Sequence, residues 1–397
     1  MAELDLSQFR SMVREWLAMH LPASMRTPMP EDEMPWGGRK TRSPHPDTER
    51  WLQAMAAQGW TAPTWPREYG GAGLSADQAA VLREELARLQ ARPALFSFGL
   101  WMLGPVLLEF ADEAQKRRFL PPIARGEIRW CQGYSEPGAG SDLASLKLRA
   151  VDHGDHWRVS GQKVWTSYAD KSDWIFALVR TDPTAARHLG ISFLLIDLAT
   201  PGITVRPIHL ISGSSPFCET FFDDVRVPKD QLVGPLNGGW AIAKRLLEHE
   251  RQNVAAGGFG ADRSVTNVQL ARRVLGGGAG EPLGDPVLRE QLAGQAMFEE
   301  ALALCTRRVQ RSLDAGGAGP MSSVIKIASA RANQERAELA VEILGMDAMG
   351  WSGDAFAAAA VAESRKWLRS KGHSIEGGTT EINLNVVAKR VLGLPDQ

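Results

Sequence analysis

The chain has 397 residues, 44% of them hydrophobic, with 45 Lys and Arg against 46 Asp and Glu. That is more chain than one hydrophobic core usually serves, so two or three domains are expected, and the balanced charge excludes an overall field that would gather nucleic acid or an anionic membrane surface. Cys131, Cys218 and Cys305 stand far apart with no Cys-x-x-Cys pair, which argues against a disulfide framework or a metal site of zinc type and for a reducing compartment.

The opening segment MAELDLSQFRSMVREW carries early acidic residues and no apolar core behind a basic start, so no secretory signal is expected. No run reaches the roughly 20 apolar residues of a membrane span, and a cytoplasmic protein is the expectation. From Ser7 to residue 125 the pattern is helical, with apolar positions at Phe9, Val13 and Leu17 and again from Ala79 to Leu89. The stretch Gly59 to Gly71 (GWTAPTWPREYGG) has too many breakers for a helix and too many aromatics for a solvated linker, and is read as a packed loop.

Between 126 and 235 the period becomes that of strands. Trp157–Val159, Trp174–Arg180, Ile191–Leu198, Ile203–Leu210 and Thr220–Val227 are short, rich in branched or aromatic residues, and separated by turn signals such as Ser160-Gly161 and Pro201-Gly202. These predict a compact antiparallel β domain; without a βαβ unit or a GxGxxG string, a Rossmann fold is excluded. Helices return at 239–275, 286–314, 322–344 and 355–370, with a last one after Thr380; Gly345 and Gly316-Gly317 read as stops, and Gly276 to Gly280 as an interhelical loop. The fold class is α+β, with a helical domain over 1–125, a β domain over 126–235 and a second helical domain over 236–397.

Two segments carry residues suited to a flat cofactor. Cys131 to Asp142 reads CQGYSEPGAGSD, where small residues, Gly140 among them, allow close backbone approach and Ser135 and Ser141 offer hydrogen bonds. Taken alone, it could equally be an ordinary turn-rich loop. Val164 to Ser167 reads VWTS, setting Trp165 beside the hydroxyls of Thr166 and Ser167 at a strand end. An indole there can cover a heterocycle, although a lone Trp in a strand is more often a core aromatic.

In sequence order, YSEPGAGSD, GQKVWTS and SGSSPFCETFFDDVRVP, together with WTAPTWPREYGG before them and EGGTTEIN at the end, strongly resemble the acyl-CoA dehydrogenase superfamily across nearly the whole chain. The resemblance implies an N-terminal helical domain, a central antiparallel β-barrel-like domain and a C-terminal four-helix bundle. It implies FAD, with Ser135 on the flavin ring, Gly140 and Ser141 at the pyrophosphate, and Trp165, Thr166 and Ser167 along the isoalloxazine. It also implies that Thr379 and Glu381 lie in the segment closing over the flavin, and that Gly345 lies at the cofactor pyrophosphate. The implied reaction takes the α-proton of an acyl-CoA thioester, passes a hydride from the next carbon to flavin N5, leaves a trans-2-enoyl-CoA and delivers electrons to an electron-transfer flavoprotein. Ser141, Arg251 and Gly377 fall where the family meets its substrate.

Such chemistry needs a carboxylate within hydrogen-bond reach of the α-proton. In many relatives it directly precedes the glycine of a Glu-Gly-Thr motif; here the string is Ile375-Glu376-Gly377-Gly378-Thr379, so Gly377 takes the base's position and Glu376 lies one residue early. The family's other solution, in isovaleryl-CoA and long-chain enzymes, is a Glu-Arg pair on the first long C-terminal helix, matched by Glu250-Arg251. On a wheel of about 100° per residue, Trp240, Ala243, Leu247 and Val254 form an apolar sector with Glu250 at one edge and Arg251 at the other, while Glu248 and His249 point away. A half-buried structural ion pair would occupy the same edges; with Gly377 in the usual place, Glu250 becomes the expected base and Glu376 the alternative.

Two departures bear on assembly. The family's Arg-x-x-Phe-Gly, which reaches a neighbour's FAD, is replaced by Arg272-Arg273-Val274-Leu275 and a glycine-rich stretch, and its Gln-Ile-Leu-Gly-Gly appears as Glu342-Ile343-Leu344-Gly345-Met346. These features resemble the bacterial branch that includes the pimeloyl-CoA dehydrogenase large chain. They admit a homodimer or homotetramer, or a heteromer with a related chain. A structural subunit that completes a partner's site, and a flavin oxidase on the same fold, are the competing readings. Substrate identity is not legible; Phe96, Phe98 and Trp101 are expected near the pocket floor, and Gly257, Gly258 and Gly260 either make room for a bulky acyl group or allow close helix packing.

Overall fold

The computed structural model describes residues 5–29, 33–40, 45–255, 266–276, 281–314 and 319–395, without the side chains of 251–255, 310, 313 and 314. The chain divides into two compact units, one formed by Met1–Ile208 with Pro216–Leu247 and the other by His209–Ser215 with Glu248–Gln397. Gly257, Gly258, Gly260, Gly316 and Gly317 fall outside the described residues. Among those described, no helix is long and apolar enough to cross a membrane.

The first unit begins with helices α1 (Leu6–His20), α2 (Pro46–Ala57) and α3 (Ala76–Arg88). Phe9, Val13 and Leu17 repeat on one face of α1 and are buried as their spacing predicts, packing with Trp51, Met55, Val81 and Leu82. Helix α3 starts on a reciprocal capping box between Ser75 and Gln78, which satisfies two otherwise orphaned backbone donors. The loop 59–71 is packed as expected: Trp60, Ala62, Trp65 and Tyr69 are buried. Helices α4 (Gly104–Phe110) and α5 (Glu113–Ala124) follow, α4 being preceded by a π-helical turn over Gly99–Leu103.

Eight strands come next: β1 (Trp130–Gly133), β2 (Arg149–Asp152), β3 (His156–Ser167), β4 (Trp174–Arg180), β5 (Ile191–Asp197), β6 (Ile203–Ile208), β7 (Phe217–Pro228) and β8 (Leu232–Val233). Their order is β6-β7-β3-β2-β4-β5-β8, with β1 added beside β4. The sheet is mixed where a wholly antiparallel one was expected, because β1 and β2 both pair with β4 in parallel. The β2–β3 hairpin lies between β1 and β4 and supplies the chain length that a parallel return needs. Strand β4 explains the core: Trp174, Phe176 and Leu178 enter one apolar cluster, while Ile175, Ala177 and Val179 enter another. A strand buried on both faces reads as a continuous apolar run, which is why its limits were legible to the residue.

The second unit is helical. Helix α6 (Gly239–Ala255) leads into it, followed by α7 (Asn267–Leu275), α8 (Pro286–Asp314), α9 (Met321–Leu344), α10 (Ala358–Ser370) and α11 (Thr380–Val386). Helix α9 packs against α7, α8, α10 and α11. Gly345, at φ +54, ends α9 as its composition predicted.

In the first unit, Glu85 of α3 is fully buried and its carboxylate takes Arg10 at 2.8 Å, Arg14 at 2.9 Å and Arg88 at 2.8 Å. The Arg14, Arg10 and Arg88 guanidinium groups hold it down to about 2, against the opposing effect of burial. A carboxyl depressed in this way contributes stability that is present above its unfolded-state value and lost as pH falls through the folded one. We expect Glu85→Gln to cost about 2–3 kcal/mol at pH 7, with the gap to the parent narrowing as pH is lowered from about 5 to 3. Urea titrations of both proteins across that pH range and at neutrality check this.

Candidate active site

In the first unit, β1 runs into the loop that carries Ser135, and the Ser135 carbonyl accepts the Val164 backbone N–H at 2.9 Å, one residue before Trp165. The two segments singled out from sequence are therefore adjacent. Glu136 and Ala139 exchange backbone hydrogen bonds, tightening the loop between them. At Gly138 and Gly140 an added Cβ would meet nothing within 4 Å, so this backbone is open to a ligand. Ser135 is half-buried, and Ser141, further along the same loop, is exposed. The loop is tied down behind them: Ser145 donates to the Asp142 carbonyl at 2.7 Å, and Arg180 donates to the carbonyls of Ala144 at 2.7 Å and Leu146 at 3.2 Å.

Trp165 owes its orientation to an irregularity. Lys163 pairs with Thr220 and Thr166 with Cys218, so β3 spends three residues where β7 spends two. This bulge reverses the side-chain alternation set by Trp157, Val159 and Lys163, which all point inward. Trp165 is 56% exposed, with φ +59, a region a bulky residue rarely adopts. Ser167 shares its alternation and is half-buried, and Phe217 meets the Trp165 ring edge-on at 6.0 Å. Thr166, expected with them, faces the other way: its side chain is fully buried, so only its main chain can line the same face.

The sequence reading missed a buried pair in these motifs. Lys163, wholly buried, donates to Glu136 at 2.8 Å and to the Tyr134 carbonyl at 2.9 Å. Period-two alternation from Trp157 and Val159 gave the signal, since a lysine on an inward position requires a partner. Phe96, Phe98 and Trp101 do cluster, with Trp36 edge-on to Phe96 at 4.7 Å and to Phe98 at 5.5 Å. Tyr168, directly after Ser167, lies 4.8 Å from Trp36.

In the second unit, the structure separates the two carboxylate candidates. Glu376 is engaged by Arg369 at 2.7 Å and lies 3.7 Å from His373. Gly377, at φ +64, bears no side chain, and a Cβ built on it would lie 4.0 Å from the Glu250 Oε1. Glu250 therefore brings its carboxylate to the neighbourhood of position 377 from α6. It continues the row of Ile242 and Leu246, both fully buried, one helical turn apart. Glu248 is exposed as expected, whereas His249 is half-buried rather than turned away. Arg251 belongs to α6, but its side chain lies outside the described residues.

The turn at Gly377-Gly378 is held by its neighbours: Lys326 and Asn383 both donate to the Gly378 carbonyl, at 2.5 and 2.9 Å. Burial, opposed by Glu376 and Glu381, lowers the Lys326 ammonium below its usual range. Thr379 caps α11 by accepting the Ile382 N–H at 3.2 Å, and Glu381 sits in that helix's first turn, its carboxyl held below the ordinary range by backbone and Thr379 hydrogen bonds. Gly345 stands in open space, with Glu342 exposed one turn before it. No cluster of His, Cys, Asp and Glu fit for a metal ion occurs among the described residues.

Family models described as the N-terminal, middle and C-terminal domains of acyl-CoA dehydrogenase match residues 4–127, 131–225 and 237–392. Acyl-CoA dehydrogenase IpdE1 of Mycobacterium tuberculosis is 38% identical over 98% of this chain and 98% of its own. Among solved structures, one described as the Tcur3481-Tcur3483 steroid ACAD is 29% identical, covering 99% of this chain and 98% of that chain with a TM-score of 0.77. A chain of the ChsE4-ChsE5 complex from Mycobacterium tuberculosis is 27% identical, with full coverage of both chains and a TM-score of 0.73. With all three domain models matched in order and a relative alike over its whole length, the chain belongs to the acyl-CoA dehydrogenase family.

Proposed function

We propose that the chain binds FAD and desaturates an acyl-CoA thioester between Cα and Cβ, with Glu250 as the base. The observation that carries this reading is the 4.0 Å between Glu250 Oε1 and the missing Cβ of Gly377, together with the ion pairing of Glu376. Family membership makes the chain an FAD-dependent oxidoreductase in general terms. The residues present suit that cofactor: the bulge turns the Trp165 indole outward, and Gly138 and Gly140 leave backbone open to a bulky ligand. Ser135, Ser141, Trp165 and Ser167 hold it on the first unit, and the Thr379–Glu381 segment belongs to the second. Bound FAD supplies the hydride acceptor.

The protein's own part is to orient the thioester and move one proton. Glu250 takes the Cα proton from a half-buried place one turn beyond Leu246 on α6. Arg251 and Ser141 help to seat the thioester. The electrons leave to an electron-transfer flavoprotein.

For the acyl group we favour a polycyclic one. The description of a solved relative as a steroid ACAD supports this, as does the rigid aromatic group of Trp36, Phe96, Phe98 and Trp101. Assembly with a related chain is supported by the paired chains in the descriptions of two solved relatives. Exposed Met297, Leu304, Met346, Met349 and Ile375 on the second unit also fit a partner, as does the loss of the family's Phe-Gly after Arg272.

Glu250→Gln should retain FAD and lose at least about 100-fold in the rate of anaerobic flavin bleaching by a polycyclic acyl-CoA, the usual scale for a general base. Glu376→Gln should stay within about threefold, being outside the proton path. Full-rate bleaching in the Glu250 variant would remove the assignment.

Expression alone and with a related chain should differ in FAD content per chain. A flavin-free chain in both preparations would favour the structural-subunit reading, and rapid reoxidation of the reduced enzyme by air the oxidase reading. Slow reoxidation that electron-transfer flavoprotein accelerates is the expected result.

A further inference from the structure

We infer that Lys163 and Glu136 are positioning residues that set Ser135 and Trp165 in the mutual geometry the flavin requires, an inference that rests on the flavin reading above. The two acceptors of the Lys163 ammonium, the Tyr134 carbonyl and the Glu136 carboxylate, flank Ser135 on either side. The next residue of β3, Val164, donates to the Ser135 carbonyl at 2.9 Å. The segment Tyr134–Glu136 is thus tied by three contacts to two consecutive residues of β3, and Trp165 is the residue that follows them.

The remaining capacity of Glu136 extends this control. Its oxygens accept the backbone N–H groups of Lys147 at 2.6 Å and Leu148 at 2.9 Å, closing the loop that contains Gly138, Gly140 and Ser141. One buried carboxylate therefore ties together the loop's start, its end and β3. Strain shows why a tie is needed: Trp165 occupies φ +59 within the bulge, a conformation that persists only where its surroundings over-determine it. Lys163 is the last paired residue before that bulge.

Stability alone does not account for the pair. Burial pulls the Lys163 ammonium from 10.5 to about 8, more than Glu136 restores. A lysine depressed on folding makes stability rise with pH between the folded and unfolded values, so burial works against its charged form. What the cost secures is orientation.

The test compares Lys163→Met, Glu136→Gln and the double variant with the parent holoprotein, reading melting temperature, FAD dissociation constant and visible circular dichroism of the flavin. Each single variant should melt lower, and its FAD affinity should fall at least tenfold with an altered flavin dichroism band. The double variant, with no unpaired buried charge, should recover the melting temperature but not the FAD affinity or the band. A double variant that recovers all three, or a set in which no variant folds, would assign the pair to folding alone and overturn the inference. A parent chain that never binds FAD would instead remove the flavin reading itself.

Discussion

The single extra residue between Lys163 and Thr166 governs the face of the sheet that matters. Without it, the alternation that buries Trp157, Val159 and Lys163 would bury Trp165 as well, and the indole would be one more core aromatic. With it, Trp165 and Ser167 come out and Thr166 goes in. The consequence continues past the strand. Tyr168, also at positive φ, turns the chain so that its ring stands 4.8 Å from Trp36 and 5.2 Å from the buried Arg129 guanidinium, which in turn covers Trp36 at 4.5 Å. A cation held between two rings is worth most when desolvated, as here.

In the second unit, two carboxylates carried by different elements take different directions. A one-residue offset in the turn before α11 sends Glu376 to Arg369. Gly377 and Gly378, at φ +64 and +91, adopt conformations that only glycine holds without strain. The position that loses its side chain is the one beside which the Glu250 oxygen stands. Placing an acid on the i, i+4, i+8 row of Ile242 and Leu246 gives it a rigid helical mount, more exact than a glycine-rich turn.

What the sequence made legible follows from which interactions are local. The limits of β4 and α8, and the burial of Phe9, Val13 and Leu17, agree with the structure because each depends on the composition or period of its own segment. Strands β1, β2 and β8 escaped notice: they are short, and β2 buries only Ala150, so pairing rather than composition makes them strands. The site divides in the same way. Motif order singled out Ser135, Trp165 and the Glu250–Gly377 pair as candidates, but the inward turn of Thr166 depends on register with β7, which no single segment encodes. Lys163 was readable in principle, since its place in the alternation is local; its partner Glu136 was not, being 27 residues away.

The two buried ionic groups of the first unit show how one chemistry serves different ends. Glu85 draws arginines whose side chains remain 33% to 52% exposed, so the carboxylate is the one charge fully buried, and it is lowered to about 2. The direction of that shift means that folding favours the charged form, and the cluster acts as a staple between α1 and α3. At Lys163 both partners are buried, at 0% and 8% exposure of their side chains, and the shift runs against the charged form. Desolvation of the ammonium, which Glu136 offsets only in part, accounts for the difference. Although desolvation disfavours its ammonium, the pair joins three segments around Ser135, and the strand it holds leads directly into the bulge that turns the Trp165 indole outward.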